Sequence, residues 1–193
     1  TGLTTEQALF FLYGTGANGK SVFLNAISKI LGDYTTNAPV EMFMATSNDR
    51  HPTEMAGLRG ARLVTATETD QGRRWAESKI KAMTGGDPIT ARFMRQDFFE
   101  FTAQFKILFA GNHKPAIRNI DEAMRRRIHL IPFLVTIPFE QRDKTLLDRL
   151  LKERDGIIAW AVACCLEWQR IGLSPPSAVL AATEEYFSDQ DAL

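Results

Sequence analysis

The chain has 193 residues, 45% hydrophobic and 24% charged, a length and balance that suit one domain able to bury a core without disulfide or metal staples. Lys and Arg equal Asp and Glu at 23 each, so overall charge argues against a nonspecific polyanion binder. No run approaches the roughly 18 apolar residues of a membrane span, and no basic-then-apolar leader is read. Strand-like sequence begins within a few residues of Thr1, which leads us to expect a fragment of a longer protein.

The first element expected is a strand over Ala8–Tyr13, short, uninterrupted and apolar, as in a parallel sheet buried on both faces. It runs into Gly14-Thr15-Gly16-Ala17-Asn18-Gly19-Lys20-Ser21, which has the pattern G-x-x-x-x-G-K-[ST] of a phosphate-binding loop. Each part has a task. The glycines let backbone N–H groups converge on phosphates, the lysine reaches the β and γ phosphates, and the serine hydroxyl ligates Mg²⁺. Val22, Phe23, Ala26, Ile27, Ile30 and Leu31 then recur at helical spacing, and Gly32 stands where that helix would end. Gly14, Gly16 and Gly19 also satisfy G-x-G-x-x-G, the dinucleotide fingerprint. That rival needs a second strand ending in an acid about 20 residues on; no strand leads to Asp33 or Glu41, and Lys20-Ser21 would have no role.

Thr35–Pro52 reads as loop with short elements, and Glu54–Leu58 as the start of a helix. Ala61–Thr67 reads as a second strand ending at Glu68, a position where a nucleotide hydrolase needs a carboxylate for Mg²⁺ or for the attacking water. From Gly72 a helix bearing Trp75, Lys79, Ile80 and Met83 is expected to run to Gly85-Gly86-Asp87-Pro88. Ile89–Phe101 reads as two strands joined near Arg95-Gln96, a hairpin carrying Arg92 and Arg95 among Phe93, Phe98 and Phe99. Such a pairing suits a single nucleic-acid strand, although Phe98 or Phe99 is expected to face the core.

Phe105–Ala110 is a further buried-type strand, which brings Asn112 to a strand's carboxyl end, where ligands collect in open α/β sheets. Asp121–Arg127 gathers Arg125, Arg126 and Arg127 before a strand over Ile128–Phe133. The neutral net charge hides this asymmetry: residues 50–127 carry 15 Lys and Arg against 9 Asp and Glu, which suits a phosphate-facing surface. His113 and His129 stand without metal-site spacing. The remainder reads as helical and amphipathic. Trp160 and Trp168 are expected on one core-facing side, and Cys164 and Cys165 in packing, in a reducing compartment. The division expected is a core over 1–138, its hairpin near 89–101, and a helical segment over 139–193.

With these parts in order the chain resembles superfamily 3 helicases, in particular the helicase part of primase-helicase proteins of phages, prophages and large DNA viruses. Gly14–Ser21 match the Walker A loop, Arg62–Glu68 the Walker B strand, Lys79–Arg95 the segment with the DNA-contacting hairpin, Phe105–Asn112 the sensor strand, and Asp121–Phe133 the arginine-finger segment. The resemblance implies an α/β, AAA+-like P-loop NTPase with a mostly parallel central sheet, a β-hairpin insertion and a helical C-terminal part. It implies ATP and Mg²⁺ as cofactors and a ring, hexameric by resemblance, moving on single-stranded or forked DNA. It also implies fusion to a primase domain and a bacterial host cytoplasm, with no membrane. Lys20 and Ser21 would take phosphate and metal, Glu68 metal or water or both, and Asn112 the attacking water or the γ phosphate. Arg127 or Arg126 would complete a neighbouring subunit's site, and Arg92 and Arg95 would meet DNA. The family often has two adjacent acids where this chain has Thr67 and Glu68, with Asp70 as a second carboxylate further on.

Two other function classes stay open at this point. A P-loop phosphotransferase acting on a small molecule needs a lid and an acceptor pocket but not Asn112, the arginine cluster and a basic hairpin together. A nucleic-acid-binding module with a silent ATPase has no use for Lys20 and Glu68.

Overall fold

The computed structural model describes residues 1–46, 53–67 and 72–191. Glu68 and Asp70 therefore lie outside the described residues. In chain order the elements are β1 (Leu9–Tyr13), α1 (Lys20–Leu31), β2 (Thr35–Asn37), α2 (Thr53–Ala56), β3 (Leu63–Thr67), α3 (Glu77–Gly85), β4 (Pro88–Ala91), β5 (Phe99–Thr102), β6 (Lys106–Gly111), α4 (Glu122–Arg125), β7 (Ile128–Pro132), α5 (Leu146–Lys152), α6 (Arg154–Ile171) and α7 (Ser177–Asp191). Five strands form one sheet in the order β2-β3-β6-β1-β7, every neighbouring pair parallel, while β4 and β5 pair antiparallel as a separate hairpin.

β1 sits between β6 and β7, with Phe11 opposite both Phe109 and Leu130. Alternation along the strands sends Leu9 and Phe11 to one face and Leu12 to the other. The first face packs with Val64, Phe43, Trp75, Ile80, Tyr186 and Phe187; the second meets Leu24 of α1 together with Leu63 and Leu108. Both faces are thus covered, which is why β1 and β6 are apolar at nearly every position. Phe11, Trp75 and Phe109 pack edge to face, with centroids 5.1 to 6.0 Å apart, each pair worth about 0.5–1.5 kcal/mol beyond area burial.

The strand order disposes of the dinucleotide rival. In that fold the second strand pairs with the first; here β2 is at the far edge, beyond β3 and β6. β2 itself falls in the stretch expected as loop, since three residues are too few to show a period, and it exists through its ladder to β3.

Three expectations are corrected. Trp75 does not begin the helix that ends at Gly85: its N–H donates to the Ala116 carbonyl at 3.0 Å and it bridges Met44, so α3 starts only at Glu77. Of the two phenylalanines expected to offer a core side chain, Phe98 is 58% exposed with Arg92 over its ring and Phe99 is only half-buried. The apolar run of α6 stays at the surface, with no buried residue in the helix and Trp160 61% exposed. The sheet face it would have needed is occupied by α7, which packs on β7 and buries Tyr186 and Phe187. The last part of the expected helical segment is therefore built into the core of the sheet. Trp168 is half-buried, its indole N–H donating to Glu6 at 2.9 Å.

Candidate nucleotide site

At the carboxyl edge of the sheet, the loop between β1 and α1 curls through left-handed backbone at Gly19 (φ 87) and at Ala17 (φ 50). Glycine is required at Gly14 for a different reason: a Cβ there would collide with the Phe133 carbonyl oxygen. That contact belongs to a strap formed by the chain leaving β7. Asn18 Nδ2 donates to the Phe133 carbonyl at 2.8 Å, and the Ile137 N–H donates to the Ala17 carbonyl at 2.7 Å. The loop's shape is thus held from 115 positions away in sequence, a pairing no local pattern announces.

Among the described residues, the backbone N–H groups from Gly16 to Ser21 donate no hydrogen bond. The first amides of a helix have no partner within it, and consecutive free N–H groups in this conformation form an anion-binding concavity. Lys20 is 5% exposed and its ammonium donates to the Gly14 carbonyl (2.6 Å) and Asn18 Oδ1 (3.1 Å). Burial pushes its pKa below the ordinary lysine value. A desolvated cation held on neutral oxygens gains from an incoming phosphate, which replaces dipoles with a full opposite charge.

A cavity of about 430 Å³ joins these parts: Gly16–Val22 form one wall, and Thr67 at the end of β3 with Ala110–Asn112 at the end of β6 form the other. The sequence-derived Lys20, Ser21 and Asn112 are brought together here; Gly14 and Thr15 shape the loop without lining the cavity. β6 lies between β1 and β3, so Asn112 emerges between the phosphate loop and the strand that leads to Glu68. Ser21 supplies a hydroxyl fit for Mg²⁺, and among the described residues no cluster of three His, Cys, Asp or Glu forms another metal site. Thr67 also lines the cavity, which its sequence position, the last residue before an acid, does not announce.

Arg126 and Arg127 are elsewhere. They precede β7 and therefore sit at the amino edge of the sheet, a strand length of roughly 16 Å from the phosphate loop at about 3.3 Å per residue. Arg127 is 5% exposed, its Nε donating to Thr84 Oγ1 (3.0 Å) and its Nη1 to the Ala123 carbonyl (2.6 Å). Arg126 is exposed and touches Gln7 at 3.0 Å. Arg125 is paired with Glu184 and lies over Phe187. Arg92 and Arg95 are on the β4–β5 hairpin, apart from the nucleotide cavity.

Residues 12–127 match the model of a family described as "Family of unknown function (DUF5906)". The chain belongs to that family. This DUF5906 chain is also 27% identical over 206 residues to the Acanthamoeba polyphaga mimivirus protein named "Putative helicase L207/L206", covering 96% of this chain and 21% of that one. It is 29% identical over 210 residues to "Putative helicase 022R" of Frog virus 3, covering 96% and 21%. Against "Putative helicase 184R" of Invertebrate iridescent virus 6 it is 30% identical over 167 residues, covering 83% and 17%. The chain thus spans about a fifth of the length of these viral relatives. Among solved structures, the apo C-terminal region of NrS-1 superposes with a TM-score of 0.60 at 14% identity, over 79% of this chain and 36% of that one, which shows a shared fold.

Proposed function

We propose that this domain is the ATP-hydrolysing motor of a DNA helicase, using ATP and Mg²⁺ to move a ring along single-stranded or forked DNA. The observation that carries the reading is the cavity itself: free amides and a desolvated Lys20 on one side, with Asn112 and the end of β3 on the other. Lys20 and the loop amides take the phosphates, Ser21 the metal, and Asn112 the attacking water or the γ phosphate. Glu68, one residue beyond β3, supplies the carboxylate for metal, water or both. The names of the viral relatives support a helicase rather than a small-molecule phosphotransferase, and the phosphate-loop machinery supports an active rather than a silent ATPase.

Arg126 is the arginine we assign to the neighbouring subunit's site, ahead of Arg127. It is exposed, whereas the Arg127 guanidinium is committed inside its own chain. A site whose arginine lies a full strand length from its own phosphate loop requires a second copy, which supports a ring, hexameric on the family resemblance. We read the longer protein as a primase-helicase working in the cytoplasm of a phage- or prophage-bearing cell.

The test is ATP hydrolysis with and without single-stranded DNA. The parent chain is expected to hydrolyse ATP faster when DNA is added, and Lys20→Ala to hydrolyse none. Parent-rate hydrolysis by Lys20→Ala would sink the phosphate-loop assignment; DNA-independent turnover by the parent would return the phosphotransferase.

A further inference from the structure

A second cavity, of about 420 Å³, opens at the same carboxyl edge of the sheet. Its walls come from three connections: Met44–Thr46 beyond β2, Arg74–Lys79 leading into α3, and Arg118–Asn119 beyond β6. Backbone hydrogen bonds sew them together, from the Ala45 N–H to the Arg74 carbonyl (2.7 Å), Ala76 to Phe43 (2.8 Å), Trp75 to Ala116 (3.0 Å) and Ala116 to Arg73 (2.9 Å). The Trp75 indole, 2% exposed, donates to the Tyr186 hydroxyl at 2.9 Å, which in turn donates to the Pro115 carbonyl. The walls are thereby fixed to the core of the domain.

Arg74, Lys79 and Arg118, one or more from two of these segments, line this cavity, and among the described residues none has an ion pair or side-chain hydrogen bond. Nearby cations are used differently: Lys81 is paired with Asp121 and Lys114 with Asp189. Among the described residues the one lining carboxylate is Glu77, whose Oε1 accepts the N–H groups of Arg118 (2.8 Å) and Asn119 (3.0 Å). Three cations beside one carboxylate leave the cavity a net positive charge, and a bound anion relieves the repulsion among them. Three of the 15 Lys and Arg residues between positions 50 and 127 are thus delivered here, apart from the residues lining the nucleotide cavity.

We propose that this cavity binds backbone phosphates of single-stranded nucleic acid, an inference that rests on the reading of the domain as a DNA-dependent motor. Arg74 and Arg118 are exposed at its rim, where a passing strand can reach both, and Met44, Trp75 and Ala76 add apolar lining beside them. Only six positions separate Thr67 of the nucleotide cavity from Arg74 in sequence.

The experiment measures affinity for a labelled oligo-dT at several salt concentrations for the parent and for Arg74→Gln/Lys79→Gln/Arg118→Gln, with Arg74→Lys/Arg118→Lys as a charge-retaining control. Losing three phosphate contacts is expected to flatten the log–log salt slope by about 2, so that affinity falls about 18-fold less between 50 and 200 mM salt. The control keeps the parent slope, and basal ATP hydrolysis is unchanged in both variants. Parallel lines for parent and triple variant overturn the proposal, as does a parent that binds no oligonucleotide. If orthophosphate raises the parent's melting temperature but not the variant's while oligo-dT affinity is equal, the site is for a small anion and the nucleic-acid assignment is wrong. A slope difference in a chain that hydrolyses no ATP would keep this site and remove the motor reading.

Discussion

Arg126 and Arg127 are adjacent in sequence and opposite in environment, because the turn out of α4 buries one and exposes the other. Removing the Arg127 side chain leaves Thr84 and the Ala123 carbonyl short of a donor inside the domain. Arg127→Ala is therefore expected to cost about 1–3 kcal/mol, read as a lower urea midpoint at unchanged slope, while Arg126→Ala stays at the parent midpoint. The reverse pattern would move the assignment for the neighbouring site from Arg126 to Arg127. Lys20 obeys a different logic. Burial lowers its pKa, so the charged form is less favourable in the folded chain than in the unfolded one. That penalty is present at neutral pH and is lifted as pH rises through the ordinary lysine range. Lys20→Ala removes it as well, which is why the variant should lose hydrolysis without losing apo stability.

The β4–β5 hairpin is the element whose purpose is most clearly external. Phe93, Met94 and Phe98 are exposed on it, Arg95 adopts a left-handed backbone (φ 61), and the Arg92 guanidinium lies 4.7 Å from the Phe98 ring centroid. Neither arginine pairs with a carboxylate among the described residues, so Asp97 and Glu100 do not hold them. Changing both to Ala is expected to weaken single-stranded DNA binding for all sequences and to flatten its salt slope by about 0.7 per lost contact. Basal ATP hydrolysis should persist and its stimulation by DNA should fall. Measured affinities that give parallel salt lines for parent and double mutant would return the hairpin to a structural role.

At the scale of the whole molecule, the loop between β1 and α1 and Arg126 lie at opposite edges of one sheet, so the proposed arginine assignment calls for two chains at each site. Lys20→Ala and Arg126→Ala subunits, each inactive, should recover part of the parent's hydrolysis when mixed, because some interfaces then join an intact loop to an intact arginine. The expected gain from such an arginine is roughly 10³- to 10⁵-fold in rate. No recovery in mixtures shown to contain both subunits would count against action in trans. The exposed apolar side chains of α6, Trp160 and Leu166 among them, are the other feature visible only at this scale.

The glycine-rich loop between a strand and a helix, the strands around it and the hairpin were legible in the sequence because each depends on local rules. Glycine spacing allows the loop to curl, uninterrupted apolar runs mark strands covered on both faces, and two short strands around a break near Arg95-Gln96 mark a hairpin. Asn112 could be placed just beyond a strand for the same reason, while Glu68 lies outside the described residues. Tertiary structure alone decided the order of those strands, which puts β6 between β1 and β3, and the strap from Phe133 to Ile137 that shapes the loop. It also decided which of two adjacent arginines is buried, and that α7 rather than α6 covers the sheet. An apolar run records only that a segment can be buried; which face it reaches depends on what else competes for that face, and this competition is settled between residues far apart in the chain.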